Sequence, residues 1–175
     1  MTDTMALICE IGCGDTPTFE NSVRIDIRKT PSVTVIADAR HLPFKNDVFD
    51  HVYSSHTIEH FPHREIPDVL QEWLRICIPG GTIELRCPDL RIRSLLFFIQ
   101  PTIQNIKNIY GEQDYPENFH RSGFSFGILK TMLEKCGVHT IRRIADEYKG
   151  IPFIPNDLHI VGTKNNGISS IRRSK

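Results

Sequence analysis

The chain has 175 residues, the length of one domain, and its 39% hydrophobic and 24% charged residues are typical of globular proteins. Its 21 basic residues balance 21 acidic ones, so no overall basic field favours nucleic acid or an anionic membrane. The longest apolar run, residues 95–99, is far too short to cross a bilayer. No secretory signal precedes residue 8, and the five cysteines form no C-x-x-C pair. We therefore expect a cytoplasmic protein with neither a nucleic-acid nor a membrane partner.

The first half of the chain alternates short apolar runs with turns and one helix. Buried strands are predicted at five runs: residues 6–11, 23–27, 33–37, 49–54 and 82–87. Between the last two, apolar residues recur every three or four positions over residues 66–77, which predicts a helix that Pro79 and Gly80 end.

The second half predicts two more helices and two late strands. One helix covers residues 90–100 and breaks at Pro101, and another follows the apolar stripe 129–136. The late strands are residues 140–144 and 158–163. We predict a single domain over residues 1–164, followed by a flexible polar and basic tail over 165–175. The fold class is α/β, a Rossmann-like doubly wound, mostly parallel sheet of about seven strands, covered on both faces.

Polar residues follow the predicted strands where parallel sheets bind their ligands. The turn Gly12-Cys13-Gly14 comes directly after the first strand, and its glycines permit a sharp turn and close approach of a ligand. Asp26 ends the second strand and can accept hydrogen bonds from ribose hydroxyls. Asp38 and Ala39 follow the third, where a carboxylate can accept from an adenine amino group and a small side chain leaves room for the ring. A nucleoside-containing ligand is therefore expected.

Five segments then come in an order that resembles class I S-adenosylmethionine-dependent methyltransferases, within them the small, type 11-like family. The segments are E-I-G-C-G (10–14), V-R-I-D-I (23–27), A-D-A-R-H-L-P-F (37–44), F-D-H-V-Y-S-S-H-T-I-E-H-F (49–61) and L-R-I-C-I-P-G-G-T-I-E-L-R-C-P-D-L (74–90). The resemblance implies S-adenosylmethionine as the cofactor. It also implies a sheet whose first three strands lie on one side and the remainder on the other.

The same resemblance implies the residues that bind the cofactor. They are Glu10, Gly12, Cys13, Gly14, Asp26, Ile27, Asp38, Ala39, Ser54 and Ser55. Within this set, the residues around the glycine turn hold the methionine part, Asp26 holds the ribose, and Asp38 with Ala39 faces the adenine. Residues 54–56 line the side where the reaction takes place.

The chain departs from the family pattern at its first crossover. Asp26 follows Gly14 by only 12 positions, and residues 15–22 include Pro17, too little for the usual crossover helix. We expect that helix to be shortened or absent, which removes a helix N-terminus worth ~0.3–1 kcal/mol to the cofactor's carboxylate. The second crossover, residues 28–32, is equally short. With almost nothing before the first strand, we expect an open groove of modest affinity. Residues 101–124, or a second subunit in a homodimer, could supply part of its cover.

The expected reaction is transfer of a methyl group to a hydroxyl of a small molecule or sugar. His120, in the aromatic loop 115–126, is the first candidate for a general base and His56 is the second. Arg121 could engage an anionic acceptor. The alternative is a catalytically silent binding module that keeps the fold. A nucleotide-dependent oxidoreductase is disfavoured, because the third glycine of its G-x-G-x-x-G pattern would fall at Pro17.

Residues 56–60 also match H-x-x-E-H, the inverted zinc-protease motif. That interpretation is disfavoured, because the match is short and falls after the fourth strand of the methyltransferase pattern. The histidines and cysteines form no closed four-ligand set at known spacings, so we predict no tightly held metal. A divalent ion held by His56, Glu59 and His60 stays open as the alternative.

Overall fold

The computed structural model describes residues 6–145, 147–148, 151–152 and 156–166. Seven strands form one sheet in the order β3-β2-β1-β4-β5-β9-β6, and β7 pairs with β8 separately. The strands are β1 (Ile8–Ile11), β2 (Ser22–Asp26), β3 (Val35–Ile36), β4 (Phe49–Ser55), β5 (Cys77–Pro88), β6 (Val138–Arg143), β7 (Glu147–Tyr148), β8 (Ile151–Pro152) and β9 (Asp157–Lys164). Most of the predicted tail, residues 167–175, lies outside the described residues. The seven-stranded sheet and the position of its first three strands are as predicted.

Four α-helices follow the sheet strands: α1 (Ile66–Ile76), α2 (Leu90–Ile99), α3 (Ile103–Tyr110) and α4 (Phe126–Lys135). A short 3₁₀ turn, Ile58–His60, follows β4. Helix α3 was not predicted, although Thr102 caps it by accepting a hydrogen bond from the Asn105 amide. Helix α1 ends at Ile76, one residue before the predicted end, because Cys77 already has extended geometry and begins β5. In the described part of the chain, no helix is long and apolar enough to span a bilayer.

The order of the sheet places a topological switch point between β1 and β4. The chain moves outward from β1 to β2 and β3, then returns to pair β4 with the other side of β1. Ile11 pairs in register with Ile25 on one side and Ser54 on the other. The carboxyl ends of these three parallel strands therefore lie side by side, the usual ligand position in open α/β sheets. Strand β9 is antiparallel to both neighbours.

Residues 12–21 form the first crossover without any helix, as expected from their number. Glu10, only 2% exposed, fastens this loop instead. Its carboxylate accepts hydrogen bonds from the Thr18 amide (2.7 Å), the Phe19 amide (3.3 Å) and the Ser22 hydroxyl (3.3 Å). Phe19 then packs edge-on against the Tyr53 ring, with the ring centroids 5.1 Å apart. One aromatic side chain thus occupies part of the surface that a crossover helix would cover.

The two faces of the sheet are unequal. Along β5, buried Ile83, Leu85 and Cys87 alternate with half-buried Thr82, Glu84 and Arg86. The apolar set joins one core cluster with the buried residues of α1 and α4. The two described α-helices that have buried residues, α1 and α4, both pack on the apolar face, whereas α2 and α3 bury none. The expectation of cover on both faces is therefore corrected for the described part of the chain. The first two crossovers, residues 12–21 and 27–34, are too short to contain the missing helices.

Helix α1 also fixes the segment between β3 and β4. The Trp73 indole N–H donates to the Ala39 carbonyl (2.9 Å), and the Leu42 amide donates to the Glu72 carboxylate (2.7 Å). Arg75 donates to the Phe44 carbonyl (2.7 Å). These bonds hold the start of the segment at the carboxyl edge of the sheet, beside the ends of β1 and β2.

Candidate functional site

A cavity of about 330 Å³ opens at the carboxyl ends of β1, β2 and β4. Its volume is at the low end of the range, roughly 300–1,000 Å³, of small-molecule sites. The lining residues come from four strand ends and one distant segment: Ile11, Gly12, Ile25, Asp26, Ile27, Arg28, Ala37, Asp38, Ala39, Arg40, His56, Thr57, His60, Phe61, Pro62, Tyr115, Pro116, Glu117 and Arg121. The cavity therefore lies at the switch point, where the sequence predicted a nucleoside-containing ligand.

The glycine turn contributes surface to this cavity rather than hydrogen-bond donors. The amides of Gly12 and Cys13 donate to the Ile25 carbonyl (2.7 and 3.1 Å), and the Gly14 amide donates to Asp26 (3.0 Å). All three N–H groups are thus used inside the protein. Gly12 has a φ of +72°, and a β-carbon there would overlap the Thr57 hydroxyl. Glycine is therefore required at this position by both conformation and packing.

Asp26 lines the cavity with a carboxylate that is 7% exposed. One oxygen accepts from the Gly14 amide and the other from the Arg28 amide (2.8 Å). Each carboxylate oxygen can accept more than one hydrogen bond, so Asp26 can still accept from the two hydroxyls of a ribose. Ala37 and Ala39 leave room beside it, and Ile27 adds a half-exposed apolar surface. This combination of a hydrogen-bond acceptor and apolar space fits the nucleoside part of S-adenosylmethionine.

Asp38, next along this wall, already has a partner. The Arg40 guanidinium donates to both of its oxygens, at 3.0 Å from Nε and 2.7 Å from Nη2. This hydrogen bonding from Arg40 holds the pKa of Asp38 below its usual value. An adenine amino group would have to share the carboxylate with Arg40.

Residues 115–121 form the roof of the cavity, in the segment expected to supply part of its cover. The Arg28 guanidinium lies 4.9 Å from the centroid of the Tyr115 ring, a cation–π distance that joins the roof to the end of β2. Arg121 also lines the cavity. Among the described residues, nothing forms a hydrogen bond or ion pair with its guanidinium.

His56 lies at the cavity wall with a φ of +49°, an uncommon conformation for a residue other than glycine. Its Nε2 is 3.1 Å from Asp157, and its Nδ1 is 3.2 Å from Glu59. Hydrogen bonding to Asp157 and then to Glu59 raises the pKa of His56 to about 10. The ring is therefore protonated at neutral pH, which disfavours the predicted role of His56 as a general base.

His120 does not line the cavity, contrary to the prediction that it lies in the acceptor pocket. Its Nδ1 is 3.0 Å from the Ile109 carbonyl, and its ring packs edge-on against His60, with centroids 5.3 Å apart. His120 therefore contacts a residue of the cavity wall without lining the cavity itself. Burial lowers the pKa of His120.

Five residues implied by the resemblance to bind the cofactor also lie off the cavity wall: Glu10, Cys13, Gly14, Ser54 and Ser55. Glu10 turns toward the first crossover, where it serves as a structural anchor. Ser54 is 1% exposed and donates to the Ile11 carbonyl (3.0 Å), which ties β4 to β1. Gly14 keeps an indirect place in the site, through its hydrogen bond to Asp26.

Several lining residues were not predicted from the sequence, among them Arg28, Arg40 and Thr57, whereas Tyr115 belongs to the aromatic loop expected at the pocket. Arg28 and Arg40 each follow a predicted site carboxylate by two positions, and that spacing was available in the sequence. Thr57 faces Gly12 from 45 positions away in the chain, a proximity that only the folded sheet shows.

Part of the chain resembles a known family, and most of the chain shares the fold of solved structures. Residues 10–85 match the sequence profile of a family described as a methyltransferase domain. The methyltransferase GfsG of Streptomyces halstedii is 34% identical over 61 residues, which cover 35% of this chain. The chain spans 20% of the length of GfsG.

Solved structures share the fold at low sequence identity. A SAM-dependent methyltransferase from Archaeoglobus fulgidus superposes with a TM-score of 0.64 at 19% identity, over 91% of this chain and 86% of that protein. A SAM-dependent methyltransferase from Methanosarcina mazei superposes with a TM-score of 0.61 at 16% identity, over 91% of this chain and 92% of that protein. A complex between the Trm112 methyltransferase activator and a methyltransferase of Haloferax volcanii gives 0.60 at 15%, over 91% and 83%.

Proposed function

We infer that this chain is a class I S-adenosylmethionine-dependent methyltransferase and that it transfers a methyl group to a hydroxyl of a small molecule or glycan. The observation that supports this most is the cavity at the switch point, with Gly12 and Asp26 side by side in its wall. When bound, S-adenosylmethionine supplies an activated methyl group on a sulfonium. Because all five cysteines are free thiols, we place the reaction in the cytoplasm.

We assign the nucleoside part of the cofactor to the wall formed by Asp26, Ile27 and Ala39. Arg28 takes the role of the missing crossover helix. Its guanidinium lines the cavity beside the turn expected to hold the methionine part. A β-carbon built on Gly14 of that turn would lie 3.6 Å from Arg28 Nη2. An arginine there can bind a carboxylate through two hydrogen bonds, in place of a helix N-terminus.

Two ligands test this assignment by calorimetry. S-adenosylhomocysteine has the carboxylate, whereas 5′-methylthioadenosine shares the nucleoside and lacks it. In Arg28→Met, affinity for S-adenosylhomocysteine should fall roughly 10- to 100-fold, the worth of hydrogen bonds to a charged group, while 5′-methylthioadenosine binds as before. Arg64→Met, a change at an exposed arginine, is the control. Equal losses for both ligands would show that Arg28 acts on the nucleoside part, either through the roof or through Asp26, whose Oδ1 lies 3.5 Å from Arg28 Nε. A parent protein that binds neither ligand would overturn the proposed function.

The acceptor is proposed to be anionic, since Arg121 presents an unpaired guanidinium to the cavity. A phosphate or carboxylate on a sugar is the type of group that such a side chain binds. Neither predicted base is placed to take the hydroxyl proton: His56 is protonated at neutral pH, and His120 is not among the residues that line the cavity. The hydroxyl proton would then pass to solvent as the methyl group is transferred. The contribution of the site is the positioning of two substrates, which lowers the barrier by removing their freedom of motion.

Radiolabelled methyl transfer to sugar phosphates, sugar acids and neutral sugars tests the acceptor class. We expect transfer to an anionic sugar, with a KM that rises about tenfold or more in Arg121→Met because a charged hydrogen bond is lost. Affinity for S-adenosylhomocysteine should stay unchanged in the variant. Transfer to neutral sugars alone would contradict the role of Arg121.

The silent binding module is the second candidate, and one observation favours it. The glycine turn uses all three of its amides internally, and no crossover helix supports it. Such a protein would bind S-adenosylhomocysteine yet transfer no label to any acceptor class, so the two assays together separate the candidates.

A further inference from the structure

We propose that Glu59, His60 and His120 form a site for one divalent transition-metal ion. One carboxylate oxygen and one nitrogen from each imidazole lie within 4.8 Å of one another. Ligand atoms bound to one ion at about 2.0–2.2 Å lie roughly 3.3–3.6 Å apart in a tetrahedral site, so side-chain rotations must bring the three atoms closer together to close the site. The sequence predicts no tightly held metal, and the alternative left open is an ion held by His56, Glu59 and His60. In the structure the third ligand of the candidate site is His120, 60 positions beyond His60, and not His56.

The hydrogen bonds of both histidines use Nδ1 and leave Nε2 of each ring available for a metal. Nδ1 of His60 lies 3.1 Å from the Phe119 carbonyl, and Nδ1 of His120 lies 3.0 Å from the Ile109 carbonyl. A carbonyl can only accept, so Nδ1 carries the proton in each ring and Nε2 keeps its lone pair. Metal-binding histidines usually have this arrangement, in which a backbone carbonyl fixes the tautomer and the ring orientation.

Glu59 supplies the charge that such a site needs. It is 1% exposed, and His56 supplies the one polar contact that its carboxylate receives from the described residues. His56 approaches Oε1 at 3.2 Å and compensates part of the charge, but Oε2 has no partner. A buried carboxylate oxygen without a partner is costly, and a cation between Glu59 and the two histidines removes that cost.

The donor set indicates the class of ion. Two imidazoles and one carboxylate bind zinc and other first-row transition metals, whereas magnesium and calcium favour oxygen ligands throughout. Three protein ligands also leave one coordination position open, as in sites of the His₂Glu type. We therefore take zinc as the ligand to test, cobalt as its spectroscopic probe and magnesium as the contrast.

The ion would connect the cavity roof to the turn after β4. Backbone bonds already join these segments, since the amides of Arg121 and Ser122 donate to the Glu59 carbonyl (2.8 and 3.0 Å). A metal bound to His120 adds a side-chain link between the same two segments. Its expected effects are a higher melting temperature and, if the proposed function is correct, tighter binding of S-adenosylhomocysteine beneath the roof.

The test uses untagged, chelator-treated protein without cofactor, so it does not depend on the proposed function. Calorimetry should show one equivalent of zinc bound and no comparable binding of magnesium. Cobalt should give visible absorption bands of a four- or five-coordinate site. His120→Asn should weaken zinc binding at least 10- to 100-fold, because loss of a ligand costs no less than loss of an outer-shell partner. His60→Asn should do the same. His63→Asn, an exposed histidine beside the site, should bind zinc like the parent.

Three results would overturn the proposal: no stoichiometric zinc on the parent, equal zinc affinity in His120→Asn, or equal loss in His63→Asn. Circular dichroism identifies a variant that fails to fold. Glu59→Gln should also weaken zinc binding, and if this variant fails to fold, the two histidine variants decide the question. Zinc binding without any affinity for S-adenosylhomocysteine would leave the metal site standing and contradict the proposed function alone.

Discussion

At Gly12, the one additional carbon atom of an alanine would disturb the cavity wall. A β-carbon would overlap Thr57 at a backbone φ of +72°, so both packing and conformation oppose any other residue. We expect Gly12→Ala to lower the free energy of unfolding by more than about 1 kcal/mol and to reduce affinity for S-adenosylhomocysteine. Urea denaturation and calorimetry measure the two effects.

Gly127 provides the matched control. It is the second residue of α4, with open space where a β-carbon would go. Gly127→Ala should therefore raise stability by up to about 0.4–1 kcal/mol, chiefly because alanine restricts the unfolded chain more than glycine does. If Gly12→Ala proved as harmless as Gly127→Ala, the turn would be less constrained than its geometry indicates.

His56 makes a prediction about pH. Since its pKa is raised to about 10, its ring should remain an imidazolium well above neutral pH, as NMR titration of the ring resonances can show. Its ion pairs stabilise the fold fully below pH ~6.5, the pKa of an unfolded-state histidine. This contribution declines as the pH rises from there and is lost above pH 10. The ring is 45% exposed, so solvent screening keeps the contribution small.

Asp157→Asn should lower the pKa of His56, because it removes the first cause of the upward shift. Asp15→Asn, at an exposed site in the first crossover, should leave the titration curve unchanged. A parent His56 that titrates near pH 6.5 would contradict the geometry and restore His56 as a candidate base.

At the scale of elements, Glu10 links β1 to the first crossover. Its carboxylate accepts three hydrogen bonds in a buried position. We expect Glu10→Gln to lower the free energy of unfolding by ~1.5–3 kcal/mol, with affinity for S-adenosylhomocysteine unchanged while the protein stays folded. Urea denaturation and calorimetry again separate stability from binding. Lower affinity at unchanged stability would instead support the direct cofactor contact that the family resemblance implies.

The sequence predicted most elements correctly but misjudged the surroundings of the sheet. Local periodicity and turn residues define strands and helices, so six of the seven sheet strands lie within two residues of their predicted starts. The exception, β5, starts at Cys77 rather than at residue 82. The alternation T-I-E-L-R-C over residues 82–87 is typical of a sheet with one solvated face. The expectation of helices on both faces took no account of it. Helix α3 had its own pattern, Thr102 as cap and Gly111 as stop, which Pro101 masked.

The site was predictable only where it depends on strand ends. Gly12, Asp26, Ile27 and the segment after β3 line the cavity because parallel strands bring their carboxyl ends together. The contact between His60 and His120 joins segments 60 residues apart, through a roof without regular structure. Such a contact depends on tertiary packing, which neither periodicity nor spacing reveals.

At the scale of the whole molecule, the α2–α3 pair exposes apolar side chains. Neither helix has a buried residue, while Phe98, Ile99 and Ile103 are 84%, 69% and 70% exposed. A second copy of the chain is the occupant we propose, because a net charge of zero opposes self-association very little. The homodimer considered from the sequence, in which a second subunit supplies cover, stays a prediction.

Sedimentation velocity tests the dimer. We expect the parent to be dimeric and Phe98→Glu to be monomeric, because a buried charge at the contact has no partner. Gln100→Glu adds the same charge nearby and should leave the dimer intact. A parent protein that remains monomeric at high concentration would rule out a second copy as the occupant. Co-sedimentation of the monomer with lipid vesicles, in a separate experiment, would indicate a membrane surface instead.

The absence of helices from the first two crossovers has a consequence for how the protein opens. Strands β1, β2 and β3 are joined by loops, and β3 at the edge has only two residues. Regions with few packed neighbours open by local unfolding more readily than the core, so their amide hydrogens exchange earlier with solvent. These same strands provide Gly12 and Asp26 to the cavity. A bound cofactor would contact them where a conventional crossover helix is missing, and would therefore suppress their opening. In this protein the cofactor completes a part of the fold that the chain itself leaves open, and hydrogen exchange in β2 should report its arrival.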